Sequence, residues 1–229
     1  MIVNKKKILL DPASPPQFSI IKKGWYEPLT SKLVLSSLSN EGVFFDVGAN
    51  FGYFSVLASH RVGPAGSVLS FEPSKDAFVD LISNCNRNHA YNIFPFQVAI
   101  SDTIGARVNI EKKWYRQSTG GYIKSGEGVF TATLDYFYLH FSKPKVKLIK
   151  IDTEGSEFLV LKGAKKILTE QKPLVIVEVS NYSRRFGLKP EDIYGFMSSF
   201  GYEGFALNDE MMQFTKIKNS LGQILFKPK

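Results

Sequence analysis

The chain of 229 residues has little of several things that would decide its class. Its single cysteine, Cys85, excludes an internal disulfide framework and a cysteine-rich zinc site. No apolar run approaches the roughly 18 residues that cross a bilayer. The opening segment, MIVNKKKILLDP, offers only Ile8, Leu9 and Leu10 before Asp11, too short an apolar core for a signal peptide. These absences predict a soluble, cytoplasmic protein. Repeats and low-complexity tracts are also missing, and 44% hydrophobic with 22% charged residues excludes long disorder and fibrous structure. What the chain has in excess is positive charge, +8 from 29 Lys and Arg against 21 Asp and Glu, with no single block that holds it. That balance fits an anionic partner, nucleic acid among them, or simply a surface of scattered lysines.

From residue 42 onward, short apolar runs alternate with helical periodicity. Residues 43–47 read as a buried strand, followed by a glycine turn and a helix over about 50–61. A second strand covers 67–72. Ala77, Phe78, Leu81, Ile82 and Cys85 then share one helix face, which makes Cys85 a core residue. Residues 92–98 form a third strand despite Pro95. Between 101 and 140 the pattern changes: 107–110 and 129–134 read as strands, separated by an exposed loop rich in Ser and Gly. A fourth strand, 146–152, leads into one helix carrying Val160, Leu161, Ala164, Ile167 and Leu168, and then a fifth strand, 174–179. A helix around 193–200 precedes two strands near 203–207 and 223–226, expected to close as a hairpin. Such alternation predicts βαβ units and a parallel sheet covered on both faces, in one domain over 42–229. Residues 1–41 read as an N-terminal extension whose helix, about 27–38, caps the sheet.

Ligands on such sheets bind beyond the carboxyl ends of the strands, so the residues finishing each strand carry the information. The first strand runs into Asp46-Val47-Gly48-Ala49-Asn50-Phe51-Gly52-Tyr53. Gly48 permits a sharp turn and close ligand approach, and the next helix aims free N–H groups at that ligand. A dinucleotide fingerprint fails here, because Asn50 and Tyr53 stand where its second and third glycines belong. Asp46 would repel a pyrophosphate but attract an ammonium group. The second strand ends in Glu72 and Pro73, where an acid can accept both hydroxyls of a ribose. Together these describe a phosphate-free nucleoside with an amino-acid tail, which is S-adenosylmethionine. Ala99 and Ser101 follow the third strand and suit an adenine edge, although turn chemistry explains Ser101 equally well.

The blocks DVGANFGYFS, FEPSKDAF, QVAISDTIG, ATLDYF and LIKIDTEGSEFLVLKGA resemble, in order and spacing, the FkbM-like methyltransferases. The resemblance covers about 42–180, with a weaker match in GWYEPLTSKL and QILFKPK. It implies a Rossmann-like class I methyltransferase fold: a seven-stranded, mostly parallel α/β sheet whose last strand runs antiparallel. It implies S-adenosylmethionine as donor, S-adenosylhomocysteine as product, and usually O-methylation of a saccharide, glycan or small metabolite. By this similarity Asp46, Gly48, Asn50 and Gly52 hold the methionine moiety, Glu72 the ribose, and Ala99 and Ser101 lie beside the adenine. Ala49, Tyr53, Pro73 and Asp152 complete the cofactor site.

A neutral hydroxyl is a poor nucleophile and needs a base for its proton. Asp152, Glu154 and Glu157 cluster where the fourth strand meets its helix, and Asp152 and Glu154 are the candidate bases. The alternative for Glu154 and Glu157 is that they complement the helix N-terminus. Ser156 stands where relatives often carry His, which leaves a carboxylate to act. Paired acids could also hold a divalent ion, although no His or Cys ligand cluster supports a metal site. Glu178 finishes the fifth strand, either facing the substrate or paired to Arg184 or Arg185. Tyr26 and Glu27 could fold over the cofactor as a lid. Trp114, Tyr115 and Tyr122 make the following loop a candidate acceptor surface. His60, His89 and His140 have no partner spacing. Base amino-group methylation lacks its proline-rich loop after the fourth strand, and a cytosine C5 enzyme lacks a site cysteine. Ribose 2′-O-methylation of RNA, or a non-catalytic binding protein of the same fold, remain as alternatives.

Overall fold

The computed structural model describes residues 2–3, 6–7, 20–22, 24–112, 121–142, 144–208, 213–217 and 219–229. Helix α1 (Pro28–Ser37) starts on a proline, whose missing N–H costs nothing in a first turn. It is followed by β1 (Val43–Val47), α2 (Tyr53–Val62), β2 (Ser67–Phe71), α3 (Lys75–Arg87) and β3 (Ile93–Phe96). A small insertion comes next, made of β4 (Ala99–Ile100), β5 (Arg107–Lys112), β6 (Gly121–Ser125) and β7 (Val129–Ala132). The alternation resumes with α4 (Leu134–His140), β8 (Val146–Ile151), α5 (Glu157–Lys162), α6 (Lys165–Glu170) and β9 (Leu174–Val179). A 3-10 segment (Asn181–Phe186), α7 (Pro190–Ser199), β10 (Tyr202–Asn208), β11 (Gln213–Ile217) and β12 (Gly222–Pro228) complete the chain.

The main sheet runs β11-β10-β12-β9-β8-β1-β2-β3, parallel from β9 through β3 and antiparallel at β12. Side chains alternate between its two faces, and each face has its own apolar core. Phe45, Leu69, Ile149 and Val177 pack with Leu134, Val160, Ile167 and Ile193 from α4–α7. Phe44, Val68, Leu148 and Ile176 pack with Val34, Val56 and Leu81 from α1–α3. Pro95 is tolerated because β3 is an edge strand. Among the described residues no helix is long and apolar enough to cross a membrane.

Four expectations change. The expected loop before residue 129 contains β6, which pairs antiparallel with β5, so the insertion is a sheet of order β4-β7-β5-β6. The strand expected over 129–134 stops at Ala132, because Thr133 caps α4 by accepting from the Tyr136 N–H at 3.0 Å. The single helix after β8 is two helices parted at Gly163. A Cβ there would lie 2.1 Å from the Ser101 carbonyl oxygen, and Asp135 caps α6 through the N–H groups of Lys166 and Ile167. Finally, β10 forms its hairpin with β11, an eighth strand, while β12 inserts between β10 and β9.

Candidate active site

Strand register builds the site. Ser70, Asp46 and Lys150 are lateral partners across β2, β1 and β8, on the face covered by α1–α3. Two residues further along, the same register sets Glu72, Gly48, Asp152 and Glu178 side by side at the carboxyl end of the sheet. Gly48 leaves the gap in that row. Its φ is +79°, and a Cβ would sit 1.8 Å from the Asp152 carbonyl oxygen.

Above the row lies a cavity of about 470 Å³. It brings together Gly48, Ala49, Asn50, Tyr53, Glu72, Pro73, Ala99, Asp152, Glu154, Glu178 and Tyr26 from the residues the sequence singled out. Five others do not line it. Asp46 is buried beneath the turn and accepts from the Ser55 hydroxyl at 2.5 Å. Gly52 lies against Leu81 of α3, Ser101 donates its N–H to the Ala132 carbonyl, and Glu27 is set back behind Tyr26. Tyr122 turns to Glu111, to which it donates at 2.9 Å. Trp114 and Tyr115 lie outside the described residues. Glu157 accepts from the N–H groups of Thr153 and Gly155, so it fastens the turn after β8. Glu178 pairs with neither Arg184 nor Arg185: Arg184 donates to Asn181, and Arg185 stacks on Tyr122 and Tyr182 at 4.1 and 4.9 Å.

Lys150 joins the site although its residue type marks it as a surface position. It is 2% exposed, with Nζ 2.8 Å from Asp152 Oδ2 and 4.7 Å from the centre of the Phe54 ring. The signal was a lysine inside the apolar run Leu148-Ile149-Lys150-Ile151, since a buried ammonium requires an acid beside it. Tyr182, Phe54 and the insertion residues Ile110 and Ile123 also line the cavity. Tyr26 is pinned over it: its carbonyl accepts from Ser31 at 2.6 Å, and its N–H donates to the Tyr53 hydroxyl at 3.3 Å.

Burial and crowding set the ionisation. Burial pushes Glu72 up to about 7, although both its oxygens accept N–H groups, from Ser74 and Asn50 at 2.8 Å each. Burial likewise raises Asp46 to about 6 and Glu157 to about 7. Glu178 is raised to about 9, first by the negative charge of Asp152 and then by burial. Burial also opposes charge on Asp152, but Lys150 outweighs it and holds that carboxyl below its ordinary range. Lys150 is disfavoured by burial and raised on balance by Asp152, Glu27 and Asp46. Among the described residues, no three His, Cys, Asp or Glu side chains are grouped to hold a metal.

These shifts predict an unusual stability profile. Asp46, Glu72, Glu157 and Glu178 all bind protons more tightly folded than unfolded, so their contribution is full below about pH 4 and is lost as pH rises through their folded values. The ligand-free protein should therefore melt lower at pH 9 than at pH 5, by on the order of 5 °C or more. Thermal melts across that window check this, and a midpoint that rises with pH would contradict it.

The strand order is that of class I methyltransferases, and the comparisons agree. The chain superposes on methyltransferase FkbM from Methylobacillus flagellatus KT with a TM-score of 0.53 at 16% identity, covering 83% of this chain and 44% of that one. It superposes on an S-adenosylmethionine-dependent methyltransferase from Aquifex aeolicus with a TM-score of 0.51 at 13% identity, covering 96% and 98%. The Methyltransferase FkbM domain family matches residues 46–203, and the chain belongs to that family. Among curated proteins, the hexuronic acid methyltransferase AglP of Haloferax volcanii is 28% identical over 170 residues. That match covers 73% of this chain and 66% of AglP, so the chain spans just under two thirds of that relative.

Proposed function

We propose that the enzyme methylates a hydroxyl group of a saccharide, with the donor seated in the cavity above the Glu72–Gly48–Asp152–Glu178 row. The row itself carries the reading. Besides its own carboxylate, S-adenosylmethionine presents an ammonium, a sulfonium and two ribose hydroxyls, and this edge of the sheet offers carboxylate acceptors for them around a glycine gap. Glu72 has lone pairs left for a ribose after its two N–H bonds. Phe71, Val98, Ala99 and Ile100 supply an apolar wall for an adenine. Asp152 faces the ammonium, supported from below by Asp46 and Lys150.

The donor supplies an electrophilic methyl carbon. The protein aligns an acceptor oxygen with it, excludes water, and takes the hydroxyl proton. Asp152, Glu154 and Glu178 are the carboxyl groups in reach of that proton, at the end of β8, in the turn beyond and in β9. A saccharide acceptor is supported by the hexuronic acid methyltransferase relative and by the aromatic faces of Tyr26 and Tyr182 over the cavity.

Glu72→Ala should weaken S-adenosylmethionine binding more than tenfold, the scale of a lost charge-assisted hydrogen bond. Asp152→Asn should lower turnover by about a hundredfold or more. Calorimetric titration and transfer of labelled methyl to hexuronate-containing oligosaccharides, neutral glycans and RNA test both halves. Unchanged binding by Glu72→Ala would remove the cofactor assignment, and methyl transfer to RNA alone would remove the saccharide.

A further inference from the structure

Among the described residues, carboxyl groups crowd the site and two buried acceptor oxygens lack a donor. The register of β8 and β9, carried one residue past Ile151 and Val177, places Asp152 and Glu178 next to each other on one face, and both line the cavity. On the other flank of Glu178, its antiparallel partner in β12 is Gln223, whose Oε1 is buried with no hydrogen-bond partner among the described residues. Glu27 Oε2 is buried in the same condition, behind Tyr26, within the field of Lys150 and Asp152. Glu154 adds a further carboxylate from the turn. Against these stands Lys150, and its ammonium is committed to Asp152 at 2.8 Å. Two carboxyl groups set side by side need a proton between them, since two bare carboxylates would offer each other only lone pairs.

We propose that Asp152 and Glu178 hold one shared proton in the ligand-free enzyme, that arrival of the ammonium and sulfonium of the methyl donor expels it, and that the carboxylate so exposed is the base for the acceptor hydroxyl. This rests on the donor occupying the cavity as proposed above. The shared proton sits on Glu178, the member of the pair without a lysine, in keeping with its raised carboxyl and the lowered one of Asp152. An ammonium beside Asp152 and a sulfonium nearby replace the proton's charge, and Glu178 ionises to bulk solvent. In the transfer, the acceptor oxygen bonds to the methyl carbon while the carbon–sulfur pair returns to sulfur. The hydroxyl proton passes to the Glu178 carboxylate, whose affinity for it rises again as the sulfonium becomes a neutral thioether. The base is thus armed by the donor's charge and reset by its loss.

Proton release on binding is measurable without any acceptor. Calorimetric titration of the full chain with S-adenosylmethionine at pH 7.5, in buffers of different ionisation enthalpy, should show release of about one proton per site. S-adenosylhomocysteine, which keeps the ammonium and lacks the sulfonium, should release a smaller fraction. Glu178→Gln should still bind the donor, within about tenfold, while its release falls near zero. Asp152→Asn, which removes the neighbouring charge, should also reduce release and serves if the first variant does not fold. Absence of release by the wild-type protein, or release by Glu178→Gln equal to wild type, overturns the proposal. If the wild-type protein binds neither sulfur compound, the donor-site reading fails first and the proposal falls with it.

Discussion

Replacing Lys150 with methionine is expected to destabilise the ligand-free protein by about 3–5 kcal/mol at pH 8, the usual cost of removing one partner from a buried ion pair. The methionine chain retains most of the packing of the lysine stem in the apolar layer of Leu148 and Ile176, so the loss is electrostatic. Lys150 is the positive charge that Asp152, Glu27 and Asp46 share. Without it, the buried Asp46 and the half-buried Asp152 and Glu27 carboxylates repel one another. Acid should rescue the variant, because protonated carboxyls need no counter-charge. The double variant Lys150→Met with Asp152→Asn should recover part of the loss, which would appear as a coupling energy in a double-mutant cycle. Urea unfolding at pH 5 and pH 8 measures all of this. A midpoint at pH 8 unchanged from wild type would show that Lys150 is not the compensating charge.

Gly48→Ala should be nearly as costly, for a different reason. Two penalties combine there: a left-handed backbone, and a Cβ only 1.8 Å from a carbonyl oxygen of the neighbouring strand. Gly105 separates them, since its φ is +80° and nothing lies within 4 Å of its Cβ position. Gly105→Ala should cost about 1–2 kcal/mol, the backbone penalty alone. Gly48→Ala should cost several kcal/mol more and abolish detectable donor binding, because β1 and β8 must separate where the cavity floor is made. Denaturation midpoints and calorimetry on the pair of variants decide it. Equal effects would mean that the close approach of the two strands carries no energetic weight.

Much of this site was legible in the sequence because its residues end strands. Asp46, Gly48, Glu72 and Asp152 each stand at the end of an apolar run, and parallel topology forces such ends to one edge. Their mutual register was not legible, and register is what sends Asp46 under the turn toward Ser55 while Asp152 reaches the cavity. Lys150 was hidden by its type, since lysine reads as surface until its lateral neighbour is known to be an acid. Residues 121–125 read as a loop because their pattern is polar and glycine-flanked, yet an insertion sheet half open to solvent needs no apolar alternation. The break at Gly163 depends on Ser101 and Asp135, distant in sequence, and no local pattern announces it.

The central seam of the sheet joins β1 to β8, two strands about a hundred residues apart in the chain. On a ribosome, β1, β2 and β3 emerge together and can pair, leaving one long side of β1 with its amide and carbonyl groups unmatched until β8 appears. That side carries Val43, Phe44 and Phe45, a short, uncharged, β-prone stretch. The nascent half-sheet is therefore open to association with other copies during the slow search for its distant mate. Asp152, Glu154 and Glu178 join Gly48 and Glu72 only when that search ends, so the cavity is completed last. Folding yield in cells should depend on how quickly the second half of the chain arrives.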